Sequence, residues 1–271
     1  LIGESGAGKS TIGLAAMGYT RQGCRIASGS IKLDGQELFE ASADELKVVR
    51  GSKISYVAQS AAASFNPAHR VIKQYSEAPV QHGILTNEEA EKEAVEIYRR
   101  LFLPRPRKIG YRYPHELSGG QLQRAMVAMA MSCKPDIIVF DEPTTALDVT
   151  TQIEVLAAVK EITEKMNKAA LYITHDLAVV AQVAHRIMVL RNGRLVEENE
   201  TNELIENPKE DYTRKLLNVR SLRENKTILD KMDVILDITD VAATYNGDKN
   251  VVDDIDLSVR KGKTVASVGG S

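Results

Sequence analysis

The feature that most constrains this chain is a glycine-rich octapeptide near its start. Residues 3–10 read GESGAGKS, which fits the pattern G-x-x-x-x-G-K-[ST]. Its three glycines let the backbone curl so that N–H groups point at phosphate oxygens. Lys9 adds a point charge for the β and γ phosphates, and Ser10 adds a hydroxyl ligand for Mg²⁺. The octapeptide and the helix expected after it predict a phosphate-binding loop, with a chance glycine-rich turn as the alternative.

Two acidic residues end an apolar strand farther along the chain. The stretch IIVFDEP delivers Asp141 and Glu142 to the carboxyl end of that strand, where nucleotide sites form in open α/β sheets. Asp141 would hold Mg²⁺, and Glu142 would act as the general base that polarises the attacking water. By itself this stretch favours an acidic strand end that only caps a loop, and the phosphate loop shifts the balance toward catalysis.

A second apolar strand, in LYITHD, ends at His175. An imidazole placed there could hydrogen-bond the γ-phosphate and the attacking water together. A lone histidine at a strand end is more often structural. The position of His175 after the strand that carries Asp141 and Glu142 favours the functional interpretation.

The stretch HELSGGQLQR predicts another helix start, with Ser118 as its N-cap. Glycines at a helix N-terminus form an anion site, so one chain carries two such sites far apart in sequence. A single triphosphate rarely needs both from one subunit. Two subunits that sandwich the nucleotide, each giving one loop, are the economical explanation.

Six motifs then occur in a fixed order: GESGAGKS, ISYVAQ, LSGGQ, IIVFDEP, ALD and ITHD. Together they resemble the nucleotide-binding subunit of an ATP-binding-cassette (ABC) transporter. The resemblance implies an α/β fold of the P-loop NTPase type, with a mostly parallel sheet in a RecA-like core. An inserted α-helical subdomain and a small antiparallel β part complete the expected fold. ATP and Mg²⁺ are the implied ligands.

The same resemblance implies the site residues. Gln59 would touch Mg²⁺ and sense the membrane partner, His175 would be the switch histidine, and Asp148 would lie at the dimer interface. Lys9, Glu142 and His175 form the expected catalytic set, and Ser10, Gln59 and Asp141 the expected Mg²⁺ set. The ATP-binding set comprises Gly3, Glu4, Ser5, Gly6, Ala7, Gly8, Lys9, Ser10, Thr11, Gln59 and Tyr245. The signature that closes over the other subunit's ATP comprises Ser118, Gly119, Gly120 and Gln121.

Longer stretches narrow the branch of the family. SFNPAHRV, YRYPHELSGGQLQRAMVAMAM, DEPTTALDVTTQ and NPKEDYTRKLL resemble the oligopeptide, dipeptide and nickel importer ATPases. Asp211 stands where that group often has a proline, which is a mild departure. The resemblance implies a subunit that powers import of a peptide-type solute. Its implied partners are permease subunits, a second cassette in a head-to-tail dimer and, indirectly, a substrate-binding protein.

The order of patterns along the chain predicts its organisation. Residues 1–60 and 126–200 alternate strands and helices and form the ATP-binding core. Residues 61–125 form the helical subdomain, in which Thr86 and Glu89 make a capping box for an amphipathic helix. Residues 201–231 form a polar, helical tail and linker, after a hairpin at Asn192-Gly193.

Residues 232–271 resemble the opening strands of a second cassette. The stretch VGGS at 268–271 aligns with IGES at 2–5, about one domain apart, which indicates two cassettes in tandem. Tyr245 stands where the family places the aromatic ring that stacks on adenine, although packing on its neighbours is an equal alternative. Because the chain opens on LIG as if inside a strand, we expect a fragment. Residues 232–271 could then fold back to complete the first cassette, with Val265 beside Ile138 in one sheet.

Composition and charge exclude some other functions. The net charge is −2, from 35 basic and 37 acidic residues, so electrostatics gives no reason to expect nucleic acid as a partner. Two cysteines make no disulfide framework and favour a reducing compartment, and no apolar run is long enough to cross a membrane. The family resemblance implies a peripheral location on the cytoplasmic face of the inner or plasma membrane.

Two other classes of function remain. A cassette ATPase for DNA repair or translation would carry a long coiled coil or a zinc module between Gln59 and Ser118, where this chain has neither pattern. A nucleotide-gated binding module without turnover would be expected to lose catalytic residues, whereas Lys9, Ser10, Asp141, Glu142 and His175 are all present. Their presence argues against such a loss in the parent chain, and leaves the alternative open for the fragment.

Overall fold

The computed structural model describes residues 1–145, 147–218, 233–244, 250–262 and 265. The chain divides into two compact units, residues 1–220 and residues 221–271. Four predictions fall outside the described residues: the adenine contact of Tyr245, the VGGS repeat at 268–271, the linker after residue 218, and Ala146 of the ALD motif.

The first unit is an α/β structure with a mostly parallel sheet, as predicted. Its described strands are β1 (Ile2–Gly3), β2 (Lys32–Leu33), β3 (Gln36–Glu37), β4 (Ile54–Val57), β5 (Ile137–Asp141), β6 (Ala169–Ile173), β7 (Arg186–Arg191) and β8 (Arg194–Glu200). Strands β4, β5 and β6 pair in parallel, and β1 pairs in parallel with β7. A parallel bridge from Ile2 to Thr174 joins β1 to the end of β6. The carboxyl ends of β1, β5 and β6 therefore meet at one edge of the core.

Among the described residues of this unit, antiparallel pairing is confined to two hairpins. Strands β7 and β8 pair across Asn192 and Gly193, both of which have positive φ, so the predicted hairpin is confirmed. Strands β2 and β3 form a second short pair. These pairs match the small antiparallel part that the family resemblance implied.

Strand β5 has a parallel neighbour on each side. Ile138 lies between Ser55 of β4 and Ala170 of β6. Both edges of β5 are therefore occupied within the first unit, which leaves no place beside Ile138 for a strand that contains Val265. The wider hypothesis, that residues 232–271 open a second cassette, stays a prediction.

Helices alternate with the strands along the sequence, and residues 61–131 contain helices without a strand. The described α-helices of this unit are α1 (Lys9–Ala15), α2 (Ala43–Val49), α3 (Ala61–Ser64), α4 (Val71–Gln81), α5 (Asn87–Arg100), α6 (Pro106–Ile109), α7 (Gly119–Met131), α8 (Val149–Lys160), α9 (Leu177–Val180), α10 (Thr201–Glu206) and α11 (Asp211–Asn218). A 3-10 turn spans Pro114–Glu116, and a π-helical turn spans Glu161–Lys165.

Helix α5, in the helical segment, begins with the capping box that the sequence predicted. Thr86 caps α5, with its hydroxyl accepting from the Glu89 N–H and the Glu89 carboxylate accepting from the Thr86 N–H. The apolar face of α5 lies in the main core, where Tyr98 meets Tyr75 of α4 edge to face. Helices α4 and α5 both pack against α7, the helix that Ser118 caps.

The predicted tail, residues 201–218 as described, packs against the core instead of extending from it. Leu204 of α10 is fully buried and Tyr212 of α11 is nearly so, and both belong to the main hydrophobic core. Residues 201–218 are thus an integral part of the first unit, although their polar composition indicated a tail and linker.

In the second unit, β9 (Val234–Thr244) and β10 (Asn250–Arg260) pair in antiparallel fashion. Among the described residues, no helix is long and apolar enough to cross a membrane.

Candidate nucleotide site

The phosphate loop connects β1 to α1. Gly3 has φ near 154°, and a Cβ on it would lie 2.3 Å from the carbonyl oxygen of Leu190 on β7. Only glycine fits there, because that contact with backbone could not be relieved by a side-chain movement. Gly8, the N-cap of α1, is left-handed and brings no side-chain cap to the helix start. The first N–H groups of α1 are thus left for an anion.

Lys9 is held inside this loop. Its side chain is only 4% exposed, and its ammonium donates to the carbonyl oxygens of Gly3 (2.8 Å) and Glu4 (2.9 Å). The same ammonium lies 3.9 Å from Oε1 of Glu142. The buried cation is therefore already aimed at the acidic end of β5.

Asp141, the last residue of β5, faces the start of α1. Its Oδ1 accepts a hydrogen bond from the Ser10 hydroxyl at 2.9 Å, and its Oδ2 accepts one from the Tyr56 hydroxyl. Burial, followed by this contact with Asp141, raises the pKa of Tyr56 well above its ordinary value, which keeps the hydroxyl protonated as a donor. Ser10 and Asp141, which were expected from the sequence as Mg²⁺ ligands, are thus hydrogen-bonded directly to each other.

Glu142 is the centre of the cluster. Its Oε2 accepts from the Gln59 amide at 3.2 Å and from the Thr145 hydroxyl at 3.0 Å, and it lies 3.3 Å from Nδ1 of His175. The backbone of Glu142 has φ near 48°, a left-handed conformation that is costly for a residue with a side chain. Such strain is typical of functional positions, because the surrounding structure must enforce it.

The structure brings most predicted site residues together and keeps the signature separate. Lys9, Ser10, Gln59, Asp141, Glu142 and His175 lie in one linked cluster. Within the described ranges, residues 118–121 make no hydrogen bond or ion pair with any of these six. Instead Ser118 caps α7 through a reciprocal capping box with Gln121, which confirms the predicted N-cap.

Asp148 has a local role that the family resemblance did not imply. Its side chain caps α8 by accepting from the N–H of Thr151 at 3.0 Å and from its hydroxyl at 2.7 Å. The proposed place of Asp148 at a dimer interface stays a prediction.

Three contacting residues escaped the sequence reasoning: Tyr56, Thr145 and Tyr212. Thr145 follows Glu142 by three residues, so that the turn spacing could have indicated it. Tyr56 shares a strand with the residues before Gln59 but gave no sign of its partner. Tyr212 lies in α11 and accepts a hydrogen bond from the N–H of Glu4 in the phosphate loop at 3.3 Å, across most of the chain.

The two signature glycines meet different surroundings, which predicts different effects of substitution. A Cβ on Gly120 would lie 2.0 Å from Cγ2 of Thr151, whereas one on Gly119 would lie 3.8 Å from Leu147. Thr151 is held by Asp148, so it cannot move freely. We expect Gly120→Ala to lower the free energy of unfolding by about 1–3 kcal/mol, measured by urea denaturation, and Gly119→Ala to change it by less than about 0.5 kcal/mol.

Thr151→Ser supplies the matched rescue, because it removes only the methyl group that an alanine at position 120 would strike. Adding Thr151→Ser to Gly120→Ala should recover most of the lost stability. Equal losses for Gly119→Ala and Gly120→Ala would show instead that backbone freedom, not the contact with Thr151, requires glycine.

A phosphate loop with a buried lysine, a hydroxyl on the acidic strand end and a second carboxylate beside a histidine define a nucleoside triphosphatase site of the P-loop type. Comparison with known proteins agrees. Residues 1–145 match the family model described as ABC transporter. The solved dimeric structure of the ATP-binding cassette MJ0796, in a post-hydrolysis state bound to ADP and Pi, superimposes with a TM-score of 0.65 and 28% identity, over 74% of this chain and 83% of that one.

Curated relatives extend the likeness. The oligopeptide transport ATP-binding protein OppD of Lactococcus lactis subsp. cremoris is 39% identical over 87% of this chain and 69% of its own length. AppD of Bacillus subtilis, also an oligopeptide transport ATP-binding protein, is 40% identical over 80% of this chain and 66% of its own. YejF of Escherichia coli, an uncharacterized ABC transporter ATP-binding protein, is 35% identical over 100% of this chain and 53% of its own. The chain belongs to the ABC transporter family, as an ATP-binding ATPase cassette.

Proposed function

We propose that this chain is the ATP-binding and ATP-hydrolysing subunit that powers import of peptide-type solutes through a membrane permease. The cluster centred on Glu142 carries the hydrolytic part of the proposal. The importer part is supported by the oligopeptide transporters among the relatives. Glutathione import, named for GsiA of Escherichia coli at 38% identity over 36% of that protein's length, supports a small-peptide cargo as well.

The residues have separable roles in hydrolysis. The loop N–H groups bind the β and γ phosphates and Lys9 neutralises part of their charge, so that together they orient the triphosphate of ATP. Glu142 accepts a proton from the water that attacks the γ-phosphorus, and ADP leaves as the bridging bond breaks. His175 lies beside Glu142 and contacts the transferred phosphoryl group, which keeps the water and the phosphate in line.

The donor set fits Mg²⁺. The Ser10 hydroxyl and the Asp141 carboxylate lie 2.9 Å apart. Gln59, whose amide nitrogen donates to Glu142 in the same cluster, would supply an amide oxygen. Oxygen donors of this kind, few in number, suit an ion that keeps its remaining coordination sites for water and phosphate. When bound, Mg²⁺ supplies charge stabilisation for the phosphate oxygens.

The separation of the signature from this cluster supports a dimer. Among the described residues, the capped, glycine-rich helix start at 118–121 makes no hydrogen bond or ion pair with the nucleotide-site cluster of its own subunit. In a head-to-tail pair, each signature would close over the ATP held by the other subunit's phosphate loop. ATP closes that dimer and hydrolysis reopens it.

The remaining partners follow from the importer proposal. Permease subunits would meet the helical segment at residues 61–125, and a substrate-binding protein would act through them. The subunit would lie on the cytoplasmic face of the membrane. The tandem arrangement with a second cassette also stays a prediction.

The rival classes are less well supported. The longest described helix between Gln59 and Ser118 is α5, with 14 residues, which is too short for the coiled-coil arm of a repair ATPase. A binding module without turnover would not need the strained Glu142 and its ordered neighbours.

Phosphate release from the purified 271-residue chain tests the ATPase proposal. We expect release that depends on Mg²⁺ and stops when EDTA is added, because Ser10 and Asp141 form an oxygen site beside the phosphates. Binding of a fluorescent ATP analogue is measured in parallel. Nucleotide binding with no phosphate release under either condition would favour the binding module, and absence of both would contradict the proposal.

A further inference from the structure

The carboxyl-terminal helix of the first unit reaches into the phosphate loop. Tyr212 of α11 is 8% exposed, and its hydroxyl accepts a hydrogen bond from the N–H of Glu4 at 3.3 Å. The guanidinium of Arg191, at the end of β7, lies 4.7 Å from the centre of the tyrosine ring. A ring held on its face by a cation and at its tip by a backbone N–H has little freedom to move.

The bond from Glu4 acts on a peptide group that Lys9 also holds. The N–H of Glu4 and the carbonyl of Gly3 belong to one planar peptide unit. Tyr212 binds the N–H side of that unit, and the Lys9 ammonium binds the carbonyl side at 2.8 Å. Hydrogen bonds at both ends of one peptide group polarise and strengthen each other. The tyrosine therefore helps fix the carbonyl on which the phosphate-binding lysine rests.

The helix that carries Tyr212 is itself anchored. Glu197 of β8 is 8% exposed, and its carboxylate accepts from the N–H groups of Lys209 (2.9 Å) and Glu210 (3.1 Å), just before α11 begins. Burial raises the pKa of Glu197, but the hydrogen-bond donors around it, led by the N–H of Lys209, together with the charge of Lys209 more than offset it, and the pKa lies below its ordinary value. A charged carboxylate thus ties the start of α11 to the β7–β8 hairpin.

The hairpin touches the phosphate loop as well. Gly193 lies in the turn of this hairpin, and its N–H donates to the carbonyl of Ala7 at 3.1 Å. The loop is therefore braced at Ala7 by the hairpin and at Glu4 by the helix, and both braces are joined through Glu197 and Arg191. None of these contacts follows from the motifs that define the nucleotide site.

We propose that Tyr212 is a positioning residue for the phosphate loop, through which α11 sets the affinity of the site for nucleotide. The proposal rests on the proposed function of that site. By holding the Gly3–Glu4 peptide, Tyr212 keeps Lys9 at the place where it meets the β and γ phosphates. Its loss affects the binding of the phosphate chain and leaves the groups around Glu142, and hence the chemical step, in place.

Tyr212→Phe tests this, because it keeps the ring and its contact with Arg191 and removes only the accepting oxygen. We expect the Kd of a fluorescent ATP analogue to rise by about threefold to tenfold, the effect of losing one hydrogen bond. The KM for ATP should rise by the same factor, with kcat within about twofold of the unchanged chain. The melting temperature should change little.

Tyr98→Phe is the matched control. Tyr98 is buried in the main core away from the loop, and its hydroxyl has no hydrogen-bond partner in the described part of the chain. Removing that oxygen should leave Kd and KM unchanged.

An unchanged Kd for Tyr212→Phe would overturn the proposal. A lower kcat with unchanged KM would overturn it as well, since that result indicates only a smaller fraction of folded protein. Failure of the unsubstituted chain to bind nucleotide would instead contradict the proposed function, so the two failures are distinguishable.

Discussion

Glu142→Gln is expected to retain ATP binding and to lower the rate of hydrolysis by about 10²-fold or more, which is the usual contribution of a general base. The amide has nearly the shape of the carboxylate, but it cannot accept the proton of the attacking water. Lys9 and the loop N–H groups, which hold the phosphates, are left in place. The measurement is single-turnover release of phosphate, together with the Kd of a fluorescent ATP analogue.

The control for this substitution is Glu164→Gln, at an exposed position in the π-helical turn. It removes the same charge without touching the cluster and should leave turnover unchanged. Appreciable hydrolysis by the Glu142→Gln chain would show that another group accepts the proton. Loss of ATP binding as well would assign Glu142 to the support of Lys9 rather than to the chemistry.

Lys9→Met should have the opposite effect to Glu142→Gln, because it should weaken the binding of ATP itself. Methionine keeps most of the buried stem but removes the ammonium that donates to Gly3 and Glu4. Truncating one member of a buried, hydrogen-bonded charge pair costs 2 kcal/mol or more. We therefore expect affinity for the ATP analogue to fall by about 10²-fold, as measured by titration in the presence of Mg²⁺.

Lys47→Met is the comparison, because the ammonium of Lys47 is largely exposed and pairs only with Asp44 among the described ion pairs. An exposed pair contributes little, so nucleotide affinity should not change. If Lys9→Met bound ATP as well as the unchanged chain does, the loop N–H groups alone would account for binding and the role of Lys9 would be wrong.

Much of the site could be predicted from sequence because its groups sit at the ends of regular elements. Ser118 and Thr86 cap helices through contacts three residues away, which a sequence shows directly. Asp141 and His175 follow apolar strands, and parallel strands bring their carboxyl ends to one edge. Local periodicity and strand order were sufficient to place these residues.

Contacts between distant elements could not be predicted in the same way. Tyr212 meets Glu4 because α11 packs into the core, and polar residues around it gave no sign of that packing. Tyr56 meets Asp141 because β4 and β5 are neighbours with a particular register. The neighbours of Ile138 likewise depend on which strands fill the sheet, a property of the whole fold rather than of any segment.

The crowding around one oxygen of Glu142 bears on which of its two oxygens takes the proton from water. Gln59, Thr145 and His175 all lie within 3.3 Å of Oε2, and an oxygen whose lone pairs are engaged is a weak proton acceptor. The other oxygen, Oε1, has among the described contacts only the Lys9 ammonium near it, at 3.9 Å, and is the freer of the two to accept a proton. The three neighbours of Oε2 would therefore fix which oxygen of Glu142 faces the attacking water.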